Sequence, residues 1–512
     1  MRIPRSVPRL ATLVAAAVMA MGAGGGPWHL STEGRRALDA VAADSLRGHL
    51  SFLAADALGG RVNGTPGLDI AAEYVAAQFR RAGLEPLGDD GYFQTAPAVV
   101  ALPTASGFRF TVSTPDGVVE IAPEEFQMTT VEPVSVEAEM IKLPPGRSPD
   151  PDSIAGRVVL TEVEELPPGP DRREAYVARQ RWTREVLAAR PALLVAVDRG
   201  LGSPTGYFDV PTLAEPRSAT RSPGRVVTTP SPALARLYAA LPDSRPMGRL
   251  TLTVADPRRQ PVPLRNVAGL LRGSDAALSG TYVLVSAHYD GTGPRPGAGG
   301  PDRVWNGAND DGSGTSAVVE LAVALARMHP RPRRSIVFLA FFGEEKGLLG
   351  SGYYAAHPLV PLEKTVADVN LEHLGRTDSL ERNKAGTASL TGYDYSNLPA
   401  AFEAAGRATG IEVYKDARRS GPFFAGSDNY SLANAGIVAH TVCVLFEDFA
   451  DYHGAGDEWT KIDFANMERT VRMVGAAAVM LADAAAEPRW RADVQEAAPY
   501  REAWERLHGS GS

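Results

Sequence analysis

The stretch FFGEEKGLLGS, residues 341–351, is the most informative part of the chain. Two adjacent glutamates, Glu344 and Glu345, follow an apolar run that is typical of a buried strand. Like charges in such a place are unfavourable unless a cation lies close to them. Because successive side chains at a strand end diverge, the two carboxylates can have different roles. We expect one glutamate to bind a metal ion and the other to take a proton from water.

The half of the chain around this stretch alternates apolar runs with amphipathic segments, which predicts an α/β fold. The apolar runs are nearly continuous, and this favours strands that are covered on both faces. We therefore expect a three-layer αβα fold with a mixed, mostly parallel sheet. The strand candidates are TYVLVSA, SIVFLAFF, VADVNLE and IVAHTVCVLF, and GTSAVVELAVALARM is a helix between them.

Acids and histidines follow the ends of the predicted strands. In an open α/β sheet the carboxyl ends of the strands meet at one crevice, so these side chains are expected to converge there. Removing several carboxylates and imidazoles from water in one crevice is unfavourable in free energy unless a cation binds them. Zn²⁺ binds both kinds of ligand. The segments are SAHYD (His288, Asp290), NGANDDGSG (Asp310, Asp311), FFGEEKG, VNLEHLG (Glu372, His373) and FEDFADYHGAGDEW (His453).

His288 and Asp290 are separated by one residue, so they lie on the same face of a continuing strand. Asp290 can then accept a hydrogen bond from His288 and fix the tautomer of the imidazole. HxD motifs and paired glutamates each occur often without a function. Their shared position at strand ends is a much stronger indication of a metal site.

Changes in composition divide the chain into segments. Residues 1–23 combine an Arg-containing start with an apolar run shorter than the ~20 residues that span a bilayer. This predicts a cleaved secretory signal peptide, with an uncleaved N-terminal anchor as the alternative. Residues 44–98 have a helical pattern, and residues 99–258 contain short β-like pieces between Pro-rich turns. We assign residues 259–487 to a catalytic core and residues 488–512 to a helical tail.

The helical pattern of residues 44–83 contains its own boundary signals. Thr65 followed by Pro66 predicts a helix start, with threonine as the N-cap residue. Gly83 predicts the end of the same helix.

The overall composition excludes some classes of protein. The 512 residues carry a formal net charge of -8, which argues against a nucleic-acid-binding protein. The predicted signal peptide indicates an exported protein, periplasmic or extracellular, and no later segment is long and apolar enough for stable membrane insertion. The single cysteine, Cys443, lies in an apolar run, which favours a buried thiol over a nucleophile.

The order of these motifs resembles that of a known family. HYD, GANDDGSG, FFGEEKGLLGS, NLEHLG and DYH occur as they do in the zinc aminopeptidase family of secreted bacterial leucyl aminopeptidases, plasma glutamate carboxypeptidase and the non-catalytic transferrin receptor. The resemblance covers about residues 45–485 and implies a zinc-peptidase-like fold with two zinc ions per chain. The β-rich insert resembles the protease-associated domain of some members, which would lie beside the crevice.

The resemblance also implies a role for individual residues. The family's two ions share one bridging aspartate, and each ion has two further ligands. An adjacent glutamate acts as the general base, and a tyrosine stabilises the oxyanion. Carried onto this chain, Asp310 is the bridge, His288 and Glu372 complete one site, Glu345 and His453 complete the other, Glu344 is the base, and Tyr452 is the tyrosine.

The chain departs from the family pattern at Glu372, where the family usually has aspartate. The additional methylene requires a small shift of the ligand. SDNYSLANAGI resembles a family segment with histidine at the position of Asn429, and we expect Asp428, like Asp290, to support the ligands rather than bind metal. His373 is predicted to be a packed neighbour. The family often has a cis peptide bond after the bridging aspartate, so one is implied between Asp310 and Asp311.

These features favour an exported zinc-dependent exopeptidase, most simply an aminopeptidase acting on peptides with a free N-terminus. A carboxypeptidase and a glutaminyl cyclase-like enzyme, which uses one zinc ion, are alternatives on the same fold. A non-catalytic binding protein is a third alternative, disfavoured because every ligand position carries a competent side chain. The preferred residue and the oligomeric state are not determined by the sequence.

Overall fold

The computed structural model describes residues 28–102, 107–115, 117–128, 133–167, 172–199, 212–213, 226–255, 258–293 and 304–509. The predicted signal peptide, residues 1–23, lies outside this described part of the chain. Among the described residues, no helix combines the length and the apolar character needed to cross a membrane.

The described residues form the following elements. The strands β1 to β18 are, in chain order, Glu85–Pro86, Phe93–Leu102, Arg109–Thr114, Gly117–Glu120, Gln127–Met128, Val134–Lys142, Val158–Glu162, Leu193–Val197, Thr212–Leu213, Val226–Thr229, Pro246–Val254, Arg258–Leu271, Tyr282–His288, Ser335–Phe341, Thr365–Leu371, Thr387–Leu390, Glu412–Val413 and Ala439–Cys443. The helices α1 to α12 are Thr32–Leu38, Ala43–Leu53, Pro66–Ala82, Pro151–Ile154, Arg172–Ala188, Pro232–Ala240, Ser313–Ala326, Leu349–Ala356, Pro399–Thr409, Asn429–Asn434, Phe464–Asp483 and Ala498–His508.

The larger unit is built on a mixed sheet with the strand order β17-β16-β18-β15-β13-β14-β12-β2-β9, and β1 pairs with β12. The central strands β18, β15, β13 and β14 run parallel to one another. Every residue of β14 and β15 is buried, so the sheet is covered on both faces there, as the apolar runs predict. The predicted α/β fold with a mixed sheet is confirmed. Strands pair parallel in the centre of the sheet and in the edge pair β16–β17. The pairs β16–β18, β12–β14, β12–β2 and β2–β9 are antiparallel.

Helices form a layer on each face of this sheet. The helices α1, α2, α3, α7, α9 and α11 pack on one another, and α7 and α11 contact β13. The helices α8, α10 and α12 form the other layer, in which α10 contacts β15 and β18. This arrangement gives the three predicted layers and leaves the carboxyl ends of the parallel strands free to form a site.

The second unit is a sheet with the strand order β4-β3-β11-β6-β7-β8-β10-β5 and has its own apolar core. Its strands come from described residues between 109 and 254, whereas β9, within the same range, pairs with β2 of the first sheet. The chain enters this unit along β2 and returns along β12, and these two strands pair antiparallel from Phe93 opposite Val267 to Leu102 opposite Arg258. Because the two connecting strands are neighbours, the insertion leaves the first sheet continuous. The predicted boundaries of the insert, residues 99 and 258, fall on this strand pair.

The predicted helix boundaries near the N-terminus agree with α3. This helix begins at Pro66 after the N-cap residue Thr65, and it ends before Gly83, which has a φ of 76°. The Thr65 hydroxyl accepts no capping hydrogen bond and instead donates to the carbonyl oxygen of Val62 at 2.7 Å. The position of the helix start is therefore predicted well, although its capping interaction is not.

We expect Gly67→Ala to destabilise the protein, because a Cβ at this position of α3 would lie 1.9 Å from the carbonyl oxygen of Leu58. Forcing the backbone apart should cost about 1–3 kcal/mol in the free energy of unfolding, measured by denaturant or thermal unfolding. Gly48→Ala in α2 is the matched control, since no heavy atom lies within 4 Å of its Cβ position. That variant should gain up to about 1 kcal/mol from helix propensity. Equal stability of the two variants would contradict the close packing at Gly67.

Candidate active site

The sheet brings the predicted site residues together at one edge. Parallel strands end on the same edge, so residues that are distant in the chain become neighbours there. The residues lie in or just after different elements: His288 ends β13, Glu344 and Glu345 follow β14, Glu372 follows β15, Asp310 lies just before α7, and His453 lies in the loop after β18.

His288, Asp310 and Glu372 form a first group of potential metal ligands, here called the first triad. The Nε2 atom of His288 lies 3.3 Å from Asp310 Oδ1 and 3.7 Å from Glu372 Oε1. One donor atom of each residue lies within 4.8 Å of the other two. His288 is 1% exposed, so this triad is closed off from solvent on the imidazole side.

Asp310, Glu345 and His453 form the second triad. The Nε2 atom of His453 lies 3.1 Å from Asp310 Oδ2 and 3.2 Å from Glu345 Oε2. Its donor atoms also lie within 4.8 Å of one another. Asp310 therefore belongs to both triads and turns a different oxygen toward each imidazole.

The geometry of both triads fits divalent metal ions. Tetrahedral ligands about 2.0–2.2 Å from a zinc ion are about 3.3–3.6 Å from one another. The donor distances of 3.1 to 3.7 Å given above lie close to this range. Both ring nitrogens of the buried His288 lack a hydrogen-bond partner among the described residues, although buried polar atoms are normally paired. A metal ion would satisfy the Nε2 atom.

The charges of the cluster shift pKa values in opposite directions. Burial lowers the pKa of His453, but the carboxylates of Glu345 and Asp310 outweigh burial and raise it to about 11. Burial raises the pKa of Asp310, yet the imidazoles of His373, His288 and His453 bring it well below its ordinary range. Protonated imidazoles thus stabilise an ionised Asp310, and a metal ion would supply the same positive charge.

The backbone of Asp310 is held by a residue that the sequence did not single out. The carboxylate of Asp457 accepts hydrogen bonds from the backbone N–H groups of Asn309, at 2.9 Å, and Asp310, at 3.0 Å. The peptide bond between Asp310 and Asp311 is cis, as the resemblance implied. Asp311 Oδ1 then accepts a hydrogen bond from the N–H of Gly314 at 2.9 Å. Asp457 lies in the segment HGAGDEW, where nothing distinguishes it from a surface loop acid.

Glu344 lies beside the triads without belonging to either. Its Oε2 atom is 4.0 Å from the Nε2 atom of His288, and its side chain borders the open cleft. Burial and the neighbouring carboxylates, Glu372 and Glu345 among them, raise the pKa of Glu344 well above its ordinary value despite the opposing effect of His288. A raised pKa makes a carboxylate a better proton acceptor near neutral pH.

The two residues expected to support the ligands differ in their contacts. Asp290 Oδ1 lies 3.4 Å from His288 Nδ1 and accepts a hydrogen bond from the backbone N–H of Glu344 at 3.0 Å. Asp428 is fully buried, and neither of its carboxylate oxygens has a hydrogen-bond partner among the described residues. Burial raises the pKa of Asp428 to about 7. Asp290 therefore contacts the first triad and the loop that carries Glu344 directly, whereas Asp428 does not.

Two rings complete the inner part of the site. His373, predicted to be a packed neighbour, has its Nε2 atom 3.5 Å from Asp310 Oδ1, which places it closer to the cluster than expected. Burial lowers its pKa, but Asp310 and Glu372 raise it to about 10. Tyr452 stacks on His453 with ring centroids 4.0 Å apart and meets His373 edge-on at 5.7 Å. The Tyr452 ring therefore limits the orientation of His453.

A cleft of about 1020 Å³ lies over these residues, between the two units. One wall belongs to the α/β unit and the other to the inserted unit, so the insert shapes the space in front of the triads. The sequence predicted the insert beside the crevice but not which of its residues face the site. The α/β wall includes Glu344, Glu345, Leu348, Gly426, Tyr452 and His453, and the insert contributes Glu162, Val163, Glu164, Glu165, Leu166, Tyr176, Arg179, Asp198 and Arg199.

A smaller pocket opens beside Glu372 and shares Gly426 and Glu447 with the cleft. Cys443, predicted to be a buried thiol, is 2% exposed and lies in its wall. Burial raises the pKa of this thiol well above its ordinary value, which disfavours a nucleophilic role. The other apolar residues of the wall are Phe423, Leu445 and Phe446.

The αβα sheet carries imidazole and carboxylate donors at its strand ends, an arrangement suited to a metal site. Residues 266–478 match the model of peptidase family M28. The family resemblance inferred from the motifs is thereby confirmed. The match begins within β12, so the helices before residue 85 and the inserted unit lie outside it.

Similar proteins include metalloproteases and aminopeptidases. A probable zinc metalloprotease of Pyrenophora teres f. teres is 29% identical over 247 residues, which are 44% of this chain and 50% of that protein. Aminopeptidase YwaD of Bacillus subtilis is 38% identical over 94 residues, 18% of each chain. The chain therefore matches these relatives over half of their length or less.

Solved structures share the fold over a larger part of the chain. The aminopeptidase from Aneurinibacillus sp. strain AM-1 has a TM-score of 0.56 and 19% identity, and the alignment covers 87% of this chain and 95% of that chain. BSAP, a zinc aminopeptidase from Bacillus subtilis, has a TM-score of 0.53 and 20% identity, with 85% and 94% covered. At these identities the likeness establishes the fold.

We expect the binding of divalent metal to release protons at neutral pH. The pKa of His453 is raised to about 11. The ion pairs of its imidazole therefore stabilise the metal-free protein fully at a pH below the ordinary imidazole pKa. This stabilisation is lost as the pH rises through about 11. The imidazole is therefore protonated at pH 7, and a metal ion displaces that proton, so the apparent affinity should rise with pH. Calorimetric titration with Zn²⁺ in two buffers of different ionisation enthalpy measures the release. Equal heats in both buffers would show that His453 is already neutral, and His453→Asn should reduce the difference.

Proposed function

We propose that the chain is a zinc-dependent aminopeptidase that holds two zinc ions and removes the first residue of a peptide. The observation that carries this proposal is the pair of triads that share Asp310, with Glu344 free beside them. A shared carboxylate suits two ions about 3.5–4 Å apart, the spacing of two-metal hydrolases. Relatives named as a zinc metalloprotease and an aminopeptidase support both the metal and the reaction.

In this proposal each triad holds one ion. The ions would polarise the scissile carbonyl, lower the pKa of the attacking water and receive the free α-amine of the substrate. Glu344 accepts the proton of that water and passes it to the leaving amine. Tyr452, held against His453 by stacking, stabilises the negative charge that develops on the carbonyl oxygen. Asp290 keeps the imidazole of His288 in a fixed orientation.

The first residue of the substrate is expected to lie in the larger cleft, because the pocket beside Glu372 encloses only about 20 Å³, which is room for about one water molecule. The cleft wall near the triads carries the carboxylates of Glu344, Glu345 and Glu447, which disfavour an acidic side chain. We therefore expect faster hydrolysis of substrates with an apolar first residue than of substrates with an acidic one.

We also propose that the protein is exported. Residues 1–23 have the arrangement of charged and apolar residues found in secretory signal peptides. An intact residue 1 in the mature protein isolated from its source would contradict this proposal.

The adjacent glutamates provide a matched test of the reaction. Glu344→Gln removes the base but no donor of either triad, so it should keep the metal content of the wild type and lower kcat on aminoacyl-anilides by about 10²–10⁴-fold. Glu345→Gln removes a donor of the second triad and should lose metal as well as activity. Metal analysis of the purified variants, combined with rate measurements with and without chelator, distinguishes these outcomes.

A second experiment compares peptides with a free N-terminus, N-acetylated peptides and peptides with an N-terminal glutamine as substrates of the wild-type protein. Activity on free but not on acetylated N-termini is expected of an aminopeptidase, whereas release of C-terminal residues or cyclisation of glutamine would favour the alternative enzymes. Wild-type turnover by Glu344→Gln would refute the assignment of the base.

The inserted unit should determine how substrates longer than a dipeptide bind. Tyr176 lies in the insert wall of the cleft with the Arg179 guanidinium 5.6 Å from its ring centroid, and Arg179 donates to the carbonyl oxygen of Glu164 at 3.3 Å. Tyr176→Ala is expected to raise KM for penta- and hexapeptides several-fold and to leave aminoacyl-anilide hydrolysis unchanged, because the anilide does not reach the insert. Tyr238→Phe, a change in the core of the insert rather than in the cleft wall, is the control. Equal effects of Tyr176→Ala on long and short substrates would contradict this role.

A further inference from the structure

We propose that Arg61 and Asn63, which lie in the N-terminal segment before the family match, are positioning residues of the metal centre. Arg61 is fully buried and Asn63 is 3% exposed. Both reach the loops that carry the donors of the first triad. This inference rests on the proposed function, because it requires that the triads bind metal.

Arg61 joins loops from distant parts of the chain. Its Nε atom donates to the carbonyl oxygen of Tyr289 at 2.8 Å, so it holds the residue directly after His288. Its Nη1 and Nη2 atoms donate to the carbonyl oxygens of Asn306, at 2.6 Å, and Gly307, at 3.0 Å, in the segment that leads to Asp310. The guanidinium of Arg61 thus fixes the distance between the loop that follows His288 and the segment that leads to Asp310.

The charge of Arg61 also complements the site. The guanidinium forms no ion pair within 4.0 Å among the described residues, and its hydrogen bonds go to backbone carbonyls. It acts electrostatically on four buried acids around the triads, namely Asp290, Asp311, Asp457 and Asp310. A buried guanidinium has several donors in a rigid plane, which a single ammonium group does not reproduce.

Asn63 contributes through Asp290. Its Nδ2 atom donates to Asp290 Oδ2 at 2.8 Å, while the other oxygen of Asp290 faces His288 and accepts from the N–H of Glu344. The Asp290 carboxylate is therefore held from both sides. The backbone of Arg61 adds a further contact, because its carbonyl oxygen accepts a hydrogen bond from the N–H of Gly291 at 3.2 Å. This bond also links the N-terminal segment to the loop that follows His288.

The test is a titration of the full-length, chelator-stripped protein with Co²⁺, followed by the visible d–d absorption that reports coordination geometry. Arg61→Lys and Asn63→Ala should each weaken Co²⁺ binding by about 10- to 100-fold and alter the absorption band, the effect expected when a ligand loses its supporting hydrogen bonds. Thermal unfolding of each variant establishes that it is folded.

Arg334→Lys is the matched control. Arg334 is also a buried guanidinium, at 2% exposure, and it donates to the backbone carbonyl of Ala484, but it lies just before β14, at the opposite end of that strand from Glu344. This variant is expected to lose stability and to keep the Co²⁺ affinity and spectrum of the wild type.

Each outcome decides between the possibilities. Wild-type Co²⁺ affinity, within twofold, and an unchanged spectrum in both site variants would overturn the inference while leaving the proposed function intact. If Arg61→Lys does not fold, Asn63→Ala alone decides in the same way. Absence of Co²⁺ binding by the wild-type chain would overturn the proposed function, and this inference with it.

Discussion

The site depends on how Asp310 is shared between two imidazoles. Each of its oxygens faces a different histidine, at 3.3 Å from His288 and 3.1 Å from His453, while Glu372 and Glu345 approach from other strands. Buried carboxylates are stable at such separations only when positive charge lies between them. The two contacts of the first triad, at 3.3 and 3.7 Å, are longer than normal hydrogen bonds, so its donors face a common centre rather than pair with one another. The arrangement of donors around Asp310 therefore suits the two-ion site that we propose.

The proposed role of Asp310 in both triads places strict demands on the backbone that presents it. Its N–H is held by Asp457, the next peptide bond is cis, and the following turn closes on Asp311 through Gly314. A Cβ on Gly314 would lie 2.4 Å from Asp311 Oδ2 and 2.6 Å from the carbonyl oxygen of Leu371, so only glycine allows α7 to start this close to the end of β15. The segment GANDDGSG therefore combines the proposed ligand Asp310 with residues that fix its position.

The parts of the site that the sequence predicted are those with a local signal. Apolar runs mark the strands, and His288 and Glu372 stand at the ends of such runs, so their convergence follows from the parallel order of β13 and β15. Arg61 and Asp457 were not predicted, because their roles consist of hydrogen bonds to backbone groups that are distant in sequence. No pattern of residue types encodes such contacts.

Similar reasons explain the other differences between prediction and structure. An apolar run indicates that a strand is covered, but not the direction of its neighbour, so the antiparallel flanks β12 and β2 could not be recognised. The position of His373 within 3.5 Å of Asp310 depends on its backbone, which has a φ of 54° directly after Glu372. A residue in this left-handed region turns its side chain away from the alternation that a strand would impose. Periodicity therefore gives no information about it.

Adjacent glutamates can act differently because each is anchored to a different part of the site. Glu345 contacts His453, which lies in the loop after β18, whereas the N–H of Glu344 is held by Asp290. Asp290 also faces His288, so one carboxylate sets both an imidazole of the first triad and the backbone of the residue we assign as the base. His288 ends β13 and Glu344 follows the neighbouring parallel strand β14. The contacts of Asp290 with both therefore fix the position of the proposed base relative to the proposed ligand.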